Sequence, residues 1–186
     1  MDDATYFEHL GTRSQLSLIY RHLILYRRLC RHLSGRTLDI GCGLGDFLAY
    51  RNHTVGADTN ALVVDWCCKQ GLDARLTSND HLPFDDEAFD CAVMDNVLEH
   101  IDHPDALLVE VRRVMRPEGR FVVGMPGRLG FEADADHRVF YDEIRLEQTL
   151  ARFGFSPVTF FYSPFRSRWL DTRMRQYCVY GVFRLN

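Results

Sequence analysis

Three glycines stand at positions 41, 43 and 45, directly after an apolar segment that ends at Ile40. A buried strand that breaks into a glycine turn and then a helix turns backbone N–H groups toward a bound ligand, and glycine leaves no β-carbon in the way. A dinucleotide site needs Gly or Ala at the sixth place of G-x-G-x-x-G, but Asp46 holds that place. The turn therefore indicates a different nucleotide-like cofactor.

An acidic residue ends the next predicted strand, which covers residues 53–57 and is followed by Asp58. A carboxylate at the end of a strand can accept hydrogen bonds from two vicinal ribose hydroxyls. Asp58 is therefore the strongest single ligand prediction, with Thr59 beside it. The alternative is that Asp58, Thr59 or Asn60 caps a helix that begins at Ala61.

The elements that must position these residues alternate along the chain. Five strands are predicted, and helical patterns separate them, which indicates an α/β fold with a doubly wound parallel sheet and helices on both faces. Ligands of such sheets bind at the carboxyl ends of the strands, where the turn, Asp58, the loop 78–81 and Asp95 would meet. The predicted strands are 36–41, 53–57, 73–76, 89–94 and 119–124, and the helices are 45–50, 60–70, 104–116 and 141–153.

Further motifs follow the glycine turn in a regular order. They are Leu82-Pro-Phe84, Phe89-Asp90, the segment 95–104 with Leu98-Glu-His100, and Arg116-Pro-Glu-Gly119. With the turn, they resemble the motifs of class I S-adenosylmethionine (SAM) dependent methyltransferases over residues 36–125. The resemblance implies a Rossmann-like, mostly parallel seven-stranded sheet that ends in an antiparallel strand pair, here 155–162 and 176–183.

The same resemblance implies SAM as the cofactor, S-adenosylhomocysteine (SAH) as its product, and a methyltransferase activity. It places a polar side chain of the loop 78–81 on the adenine amino group, with Ser78 as the alternative to Asn79 and Asp80. We expect one domain, with a helical cap at 1–34, a SAM-binding core at 35–125 and a substrate side at 126–186. The predicted cofactor contacts are Asp39, Gly41, Cys42, Gly43, Asp58, Thr59, Asn79, Asp80 and Asp95.

A base is needed only if the acceptor is a hydroxyl, because the sulfonium methyl is already activated. The predicted base is His137, because histidine is a common general base and this one lies in a loop after the fifth strand, where Asp134 or Asp136 can orient it. The alternative is that Asp136 and His137 only cap the helix predicted from Tyr141.

His100 is the second candidate base. Ubiquinone-type O-methyltransferases carry E-x-x-E-H at this place, a patch associated with a divalent metal, and this chain supplies Glu99 and His100 but has Asn96 in place of the first glutamate. Because a carboxylate is lost, we predict that no metal is required. The alternative is that Glu99 and His100 brace the helix that follows Pro104.

The acceptor is predicted to be a small molecule, with a hydroxyl of a metabolite or sugar moiety as the methylated group. Arginine forks suit carboxylate or phosphate groups, although a solvated arginine-rich face is the alternative. The predicted substrate contacts are Arg138, Tyr141, Arg166 and Arg168.

The formal net charge of −4 argues against general nucleic-acid binding. The chain shows no apolar run that could cross a bilayer and no leader pattern, and its six cysteines suit reduced thiols, so we expect a cytoplasmic protein.

A helix is predicted at 14–34, and one of its faces carries Leu16, Ile19, Leu23, Tyr26 and Cys30. This face packs on the core or, alternatively, the helix contacts a membrane surface. A SAM-binding protein without catalysis is the other alternative, and the oligomeric state is not predicted.

Overall fold

Seven strands form one sheet in the computed structural model, which describes residues 4, 5, 7, 15–78 and 80–186. The strands are β1 Thr37–Ile40, β2 Thr54–Asp58, β3 Ala74–Leu76, β4 Phe89–Asp95, β5 Met115–Pro126, β6 Phe155–Ser163 and β7 Cys178–Leu185. Their order across the sheet is β3-β2-β1-β4-β5-β7-β6. β1 to β5 pair in parallel, whereas β7 is antiparallel to both β5 and β6. The predicted fold class, including the final antiparallel pair, is confirmed.

Helices cover both faces of this sheet. They are α1 Gln15–Tyr20, a π-helical turn Arg21–Leu25, α2 Tyr26–Cys30, α3 Asp46–Tyr50, α4 Ala61–Lys69, a 3₁₀ turn Leu98–His100, α5 Asp105–Val114, α6 Arg128–Glu132, α7 Glu143–Ala151 and α8 Arg168–Asp171. On one face α5 and α7 bury leucines such as Leu108 and Leu146 against the strands. On the other face Tyr26 and Leu29 of α2 pack near Tyr180 of β7. All four residues of β1 are buried, as expected for a central parallel strand.

The predicted core-facing side of the N-terminal helix is confirmed at Tyr26 and Cys30, which pack on the core, but it is wrong at the other three residues. Leu16, Ile19 and Leu23 are exposed, Leu16 to 79%, and the buried residues of this helix are Leu25, Tyr26 and Leu29. The π-helical turn explains the difference, because one wider turn shifts the phase of every side chain that follows it. The regular 3.6-residue pattern therefore predicted the buried face wrongly before the turn. Residue 14, the predicted start, lies outside the described residues.

Two short helices, α6 and α8, were not predicted, because four or five residues are too few to show a periodic pattern. The helix predicted from Tyr141 begins at Glu143 instead, since the Asp142 side chain accepts a hydrogen bond from the Arg145 N–H at 2.8 Å. The capping alternative for Asp136 and His137 is therefore wrong.

Within the described part of the chain, no helix is both long and apolar enough to cross a bilayer.

Candidate active site

The glycine turn joins β1 to α3 at the carboxyl edge of the sheet. Gly41, Gly43 and Gly45 have φ values of 72°, 53° and 80°, a left-handed conformation that favours glycine. A β-carbon on Gly41 would lie 2.3 Å from Cγ2 of Val97, so the Val97 side chain packs too closely against the turn for a larger residue at position 41. The sequence pattern thus identified a turn whose backbone conformation favours glycine.

The N–H groups of this turn donate inside the protein. Gly41 and Cys42 donate to the carbonyl of Ala57, and Gly45 donates to the carbonyl of Cys42. Gly43 donates to Oδ2 of Asp58 at 3.0 Å. The expectation of free donors is therefore wrong at these four positions, and a phosphate would have to displace existing bonds. This arrangement fits a cofactor without a phosphate at the turn.

Asp58 ends β2 and is buried beside the turn. Its Oδ1 also accepts a hydrogen bond from the Asn60 N–H at 3.0 Å. Asn60 is the residue that caps α4, because its side chain accepts bonds from the N–H groups of Leu62 and Val63. Thr59 lies next to it and is exposed.

The predicted adenine loop follows β3. Asn79 lies outside the described residues. Asp80 is exposed, and its Oδ1 accepts a hydrogen bond from the Ser78 hydroxyl at 2.6 Å. Ser78 also forms an isolated bridge with His81, so both candidate side chains sit on one tight turn.

A small cavity of about 40 Å³ opens at the carboxyl ends of β1 and β4. We call it the cofactor crevice; its lining includes Asp39, Gly41, Asp46, Asp95 and Arg21. Asp95 accepts from Nη2 of Arg21 at 2.7 Å and from the Tyr180 hydroxyl at 2.8 Å. The Asp95 carboxylate thus joins β4 to the N-terminal helix and to β7.

The electrostatics of the crevice favour a cationic ligand. Burial raises the pKa of Asp39 well above its usual value, and the charge of Asp95 adds to the effect while Arg21 opposes it. Three carboxylates line the crevice, with Arg21 as the cation among the described lining residues. The residues present therefore fit the methionine end of SAM, which carries an ammonium and a sulfonium group.

A larger cavity of about 750 Å³ adjoins the crevice and shares Arg21 with it. We call it the acceptor cavity. Asn96, His137 and Arg175 contribute to its wall. Asn96 has a φ of 56°, a conformation that asparagine tolerates, and its N–H donates to the Gly124 carbonyl.

His137 is held by the main chain. Its Nδ1 lies 2.9 Å from the carbonyl oxygen of Phe131, which can only accept, so Nδ1 carries the proton and Nε2 is the acceptor in the neutral ring. Nε2 lies 3.8 Å from Oε1 of Glu99 and 3.8 Å from Oδ2 of Asp134. Asp136 instead contacts His100, through its carbonyl oxygen at 3.3 Å from Nδ1. The predicted orienting role of the two aspartates is thus taken by the Phe131 carbonyl.

Glu99 is 1% exposed, and neither carboxylate oxygen has a hydrogen-bond partner among the described residues. Burial raises the pKa of Glu99 to about 8. Burial also lowers the pKa of His100, whose ring centroid lies 4.6 Å from that of His137. The Glu99 carbonyl accepts from the N–H groups of Arg138 and Val139. Glu99 therefore braces the segment after His137 rather than the helix after Pro104.

Glu99, His100 and His137 each offer one ligand atom, and these atoms lie within 4.8 Å of one another. Two imidazoles and one carboxylate form a donor set that zinc and other transition metals accept. The expectation that no metal is required stays a prediction.

None of the four predicted substrate residues is among the described residues that line the acceptor cavity. Tyr141 is only 5% exposed and packs in the hydrophobic core. Arg138 is exposed, Arg166 lies over the Tyr162 ring, and Arg168 begins α8. Arg175 lines the cavity instead. Arg175 belongs to the same arginine-rich stretch as Arg166 and Arg168, and no local sequence pattern distinguishes the arginine that lines the cavity.

Sequence reasoning also missed Arg21, Tyr180 and the role of Glu99. Arg21 lies in a helix whose pattern suggested only packing, and Tyr180 lies in an alternating strand. The Leu-Glu-His motif marked Glu99 as a candidate site residue. It did not predict that Glu99 is buried, because the burial comes from distant segments.

The sheet order, the glycine turn and the acidic strand ends define the class I methyltransferase fold. Residues 38–123 match the family model described as a methyltransferase domain. These residues are therefore similar to a methyltransferase domain, and the sheet has the fold of class I methyltransferases, a family whose cofactor is SAM.

Known proteins agree with this assignment. The chain is 32% identical over 115 residues to an uncharacterized protein of Methanocaldococcus jannaschii, which covers 61% of this chain and 55% of that protein. It is 33% identical over 111 residues to phthiotriol/phenolphthiotriol dimycocerosates methyltransferase 1 of Mycobacterium ulcerans, covering 53% and 41% of the two chains. A SAM-dependent methyltransferase structure from Thermotoga maritima, described as a possible histamine N-methyltransferase, superposes with a TM-score of 0.74 at 20% identity over 92% of both chains. The chain thus spans about half the length of these curated relatives.

We predict that Asp39→Asn stabilises the folded protein at neutral pH and weakens SAH binding. Because the pKa of Asp39 is raised on folding, the wild type loses stability as the pH rises above about 4, the usual value for a free aspartate. The variant lacks this loss, so its advantage in urea midpoint should grow from pH 4 to pH 7. Asp65→Asn, an exposed change on α4, should leave the midpoint nearly unchanged. A lower midpoint for Asp39→Asn at pH 7 would contradict the prediction.

Proposed function

We propose that the protein transfers the methyl group of SAM to a hydroxyl oxygen of a small metabolite or sugar moiety. The observation that carries this proposal is the pair of adjoining cavities that share Arg21, one lined by carboxylates and the other by His137. The first suits the cationic end of the cofactor, and the second suits an acceptor whose proton must be removed. The family match supports the transfer reaction but specifies no acceptor.

The cofactor contacts are assigned by position along the carboxyl edge of the sheet. Asp39 and Asp95 face the methionine end, and the turn Gly41-Cys42-Gly43 lets the cofactor approach the backbone. Asp58 and Thr59 are assigned to the ribose. Asn79 and Asp80 are assigned to the adenine.

SAM, when bound, supplies a methyl group that is already activated by the sulfonium charge. The protein must hold the acceptor oxygen in line with that methyl and keep water out, which is worth roughly 7 to 11 kcal/mol in favourable cases. Burial of Glu99 and the low exposure of His137 support a site that excludes water on the acceptor side.

His137 is proposed as the general base. Its Nε2 is the acceptor nitrogen, and the Asp134 carboxylate lies 3.8 Å from it, where its charge stabilises the imidazolium that forms. His100 is the alternative base, since its ring touches the same cluster. Arg175 at the cavity wall is proposed to meet an anionic group of the acceptor, and Arg138, Arg166 and Arg168 extend the positive charge on the surface.

A second candidate function is methylation of a lipid-linked acceptor at a membrane surface. The exposed side chains of Leu16, Ile19 and Leu23 favour it, and Phe165 and Trp169 are each 61% exposed. Hydrogen bonds from Arg28 to the carbonyls of Tyr162 and Pro164 place the helix beside the segment that carries these aromatics. Apolar side chains among arginines suit the interface of an anionic bilayer.

The proposed location is the cytoplasm. All six cysteines are free thiols, in keeping with a reducing compartment.

We predict that Asp58→Ala weakens SAM and SAH binding about 10- to 100-fold, because charge-assisted hydrogen bonds to the ribose are lost. Isothermal titration calorimetry with SAM, SAH and NAD measures this. NAD should not bind, since the turn N–H groups already have partners. Asp65→Ala on the exposed face of α4 is the matched control. Equal affinity of Asp58→Ala and wild type for SAH would contradict the assignment.

We predict that His137→Gln lowers kcat with a hydroxyl acceptor about 10²- to 10⁴-fold while SAH affinity stays unchanged, because only proton removal is lost. Steady-state kinetics on a panel of hydroxylated metabolites and sugars measures this. His103→Gln, at an exposed histidine, is the control. An unchanged kcat in His137→Gln would exclude it as the base. Saturable SAM binding without turnover on any acceptor would favour a regulatory protein instead.

For the membrane alternative, we expect wild-type protein to sediment with anionic vesicles at low salt and to be released at high salt. Leu16→Ser combined with Trp169→Ser should abolish sedimentation, whereas Leu62→Ser, at an exposed leucine of α4, should not. Wild type that stays in the supernatant at low salt would reject this candidate.

A further inference from the structure

The short helix α6 carries the group that orients His137. The carbonyl oxygen of Phe131 lies 2.9 Å from Nδ1, and the Phe131 ring stacks on the imidazole with centroids 5.3 Å apart and an angle of 18° between the planes. A hydrogen bond from Nδ1 fixes the neutral ring in the tautomer whose Nε2 can accept a proton. The position of α6 therefore decides whether His137 is ready to act as a base.

The residues of α6 do little to hold the helix in place. It spans five residues, Arg128–Glu132, and none of these described residues is buried. A helix of this length is not stable through its own hydrogen bonds. Gly127 precedes it and has no side chain that could cap the N–H groups of the first turn. The helix therefore depends on groups from other segments.

Asp171, the last residue of α8, supplies a cap from a distant part of the chain. Its Oδ1 accepts a hydrogen bond from the Arg128 N–H at 2.7 Å, although 43 residues separate the two positions. Beside it, the Gly127 N–H donates to the Tyr177 carbonyl at 2.7 Å. A carboxylate at the first turn is also favoured by the helix dipole. Residues of α8 and of the chain after it thus hold the N-terminus of α6.

Two glycines allow this close approach. A β-carbon on Gly127 would lie 2.5 Å from Oδ1 of Asp171, and one on Gly130 would lie 2.6 Å from the Arg175 carbonyl oxygen. Neither glycine has a positive φ, so the backbone conformation does not require glycine at either position. Their small size instead serves the contact with the segment 171–175. The packing and the hydrogen bond thus indicate the same docking of α6.

We propose that Asp171 is a positioning residue for His137. By capping α6 it keeps the Phe131 carbonyl and ring against the imidazole, so that the neutral ring holds its proton on Nδ1 and presents Nε2 to the acceptor hydroxyl. Without the cap, α6 frays and the imidazole populates both tautomers, of which only the Nδ1–H form can remove a proton through Nε2. Asp171 is not among the described residues that line either cavity, so it acts through α6.

This inference rests on the proposed role of His137 as the base, and the tautomer of the ring tests it separately from turnover. Nitrogen NMR chemical shifts of isotope-labelled histidine report which ring nitrogen carries the proton, and the His137 signals are assigned by their loss in His137→Gln. We expect the Nδ1–H form in wild type and a mixture of both forms in Asp171→Ala. With a hydroxyl acceptor, kcat of Asp171→Ala should fall about 2- to 30-fold, the range that loss of a helix cap gives, while SAH affinity stays unchanged.

Two variants separate positioning from stability. Asp171→Asn keeps an oxygen that accepts from the Arg128 N–H, so it should retain the wild-type tautomer and kcat. Asp142→Ala removes the matching cap of α7, where Oδ1 accepts from the Arg145 N–H at 2.8 Å. It should lower the thermal midpoint as Asp171→Ala does but leave the tautomer and kcat unchanged.

Removing the donor instead of the acceptor tests the same bond. Arg128 is the first residue of α6, where proline fits a helix, and Gly127 before it is extended, with a ψ of 175°, as a residue before proline prefers. Arg128→Pro lacks the N–H and should give the same tautomer mixture as Asp171→Ala. Arg128→Ala loses the side chain that lies over the Phe140 ring but keeps the N–H, so it should retain the wild-type tautomer.

An unchanged Nδ1–H tautomer in folded Asp171→Ala, or a wild-type ring with its proton on Nε2, would overturn the inference while leaving the proposed function in place. Unchanged kcat in His137→Gln together with a tautomer mixture in Asp171→Ala would contradict the role of His137 as the base but support the positioning of its ring by Asp171. If Asp171→Ala does not fold, Arg128→Pro decides, because a wild-type tautomer in that variant contradicts the inference.

Discussion

The ion pair between Arg21 and Asp95 links parts of the chain that are otherwise separate. Asp95 ends β4, Arg21 comes from the N-terminal helix, and Tyr180 of β7 donates to the same carboxylate. Gly124 of β5 completes the packing, since a β-carbon there would lie 2.6 Å from Oδ1 of Asp95. One carboxylate thus positions the covering helix, the cofactor crevice and the wall of the acceptor cavity.

Three aspartates and one arginine are the charged residues among the described lining of the cofactor crevice. Burial raises the pKa of Asp39, and Asp95 raises it further despite the nearby arginine. Such an arrangement costs folding stability at neutral pH, which is common where a site is built for a ligand and not for the fold. A cationic cofactor provides the missing charge, so the same groups that destabilise the free domain favour binding.

On the acceptor side, loop segments bury the polar side chains of Glu99 and His137. The Phe131 carbonyl fixes the His137 ring, and the Glu99 main chain holds the segment that follows it. The Glu99 carboxyl is left without a hydrogen bond among the described residues and has a raised pKa. Buried groups of this kind concentrate at functional sites, because packing for stability alone would pair or remove them.

The sequence by itself determined the alternation of strands and helices in the core, the glycine turn and the acids at the strand ends, because each depends on local patterns of burial and backbone conformation. The tertiary structure alone decided which side chains meet. The π-helical turn changed the buried face of the N-terminal helix and brought Arg21 to Asp95, 74 residues away. Arg175 rather than Arg166 or Arg168 reached the acceptor cavity. These outcomes depend on packing between distant segments, which no local pattern records.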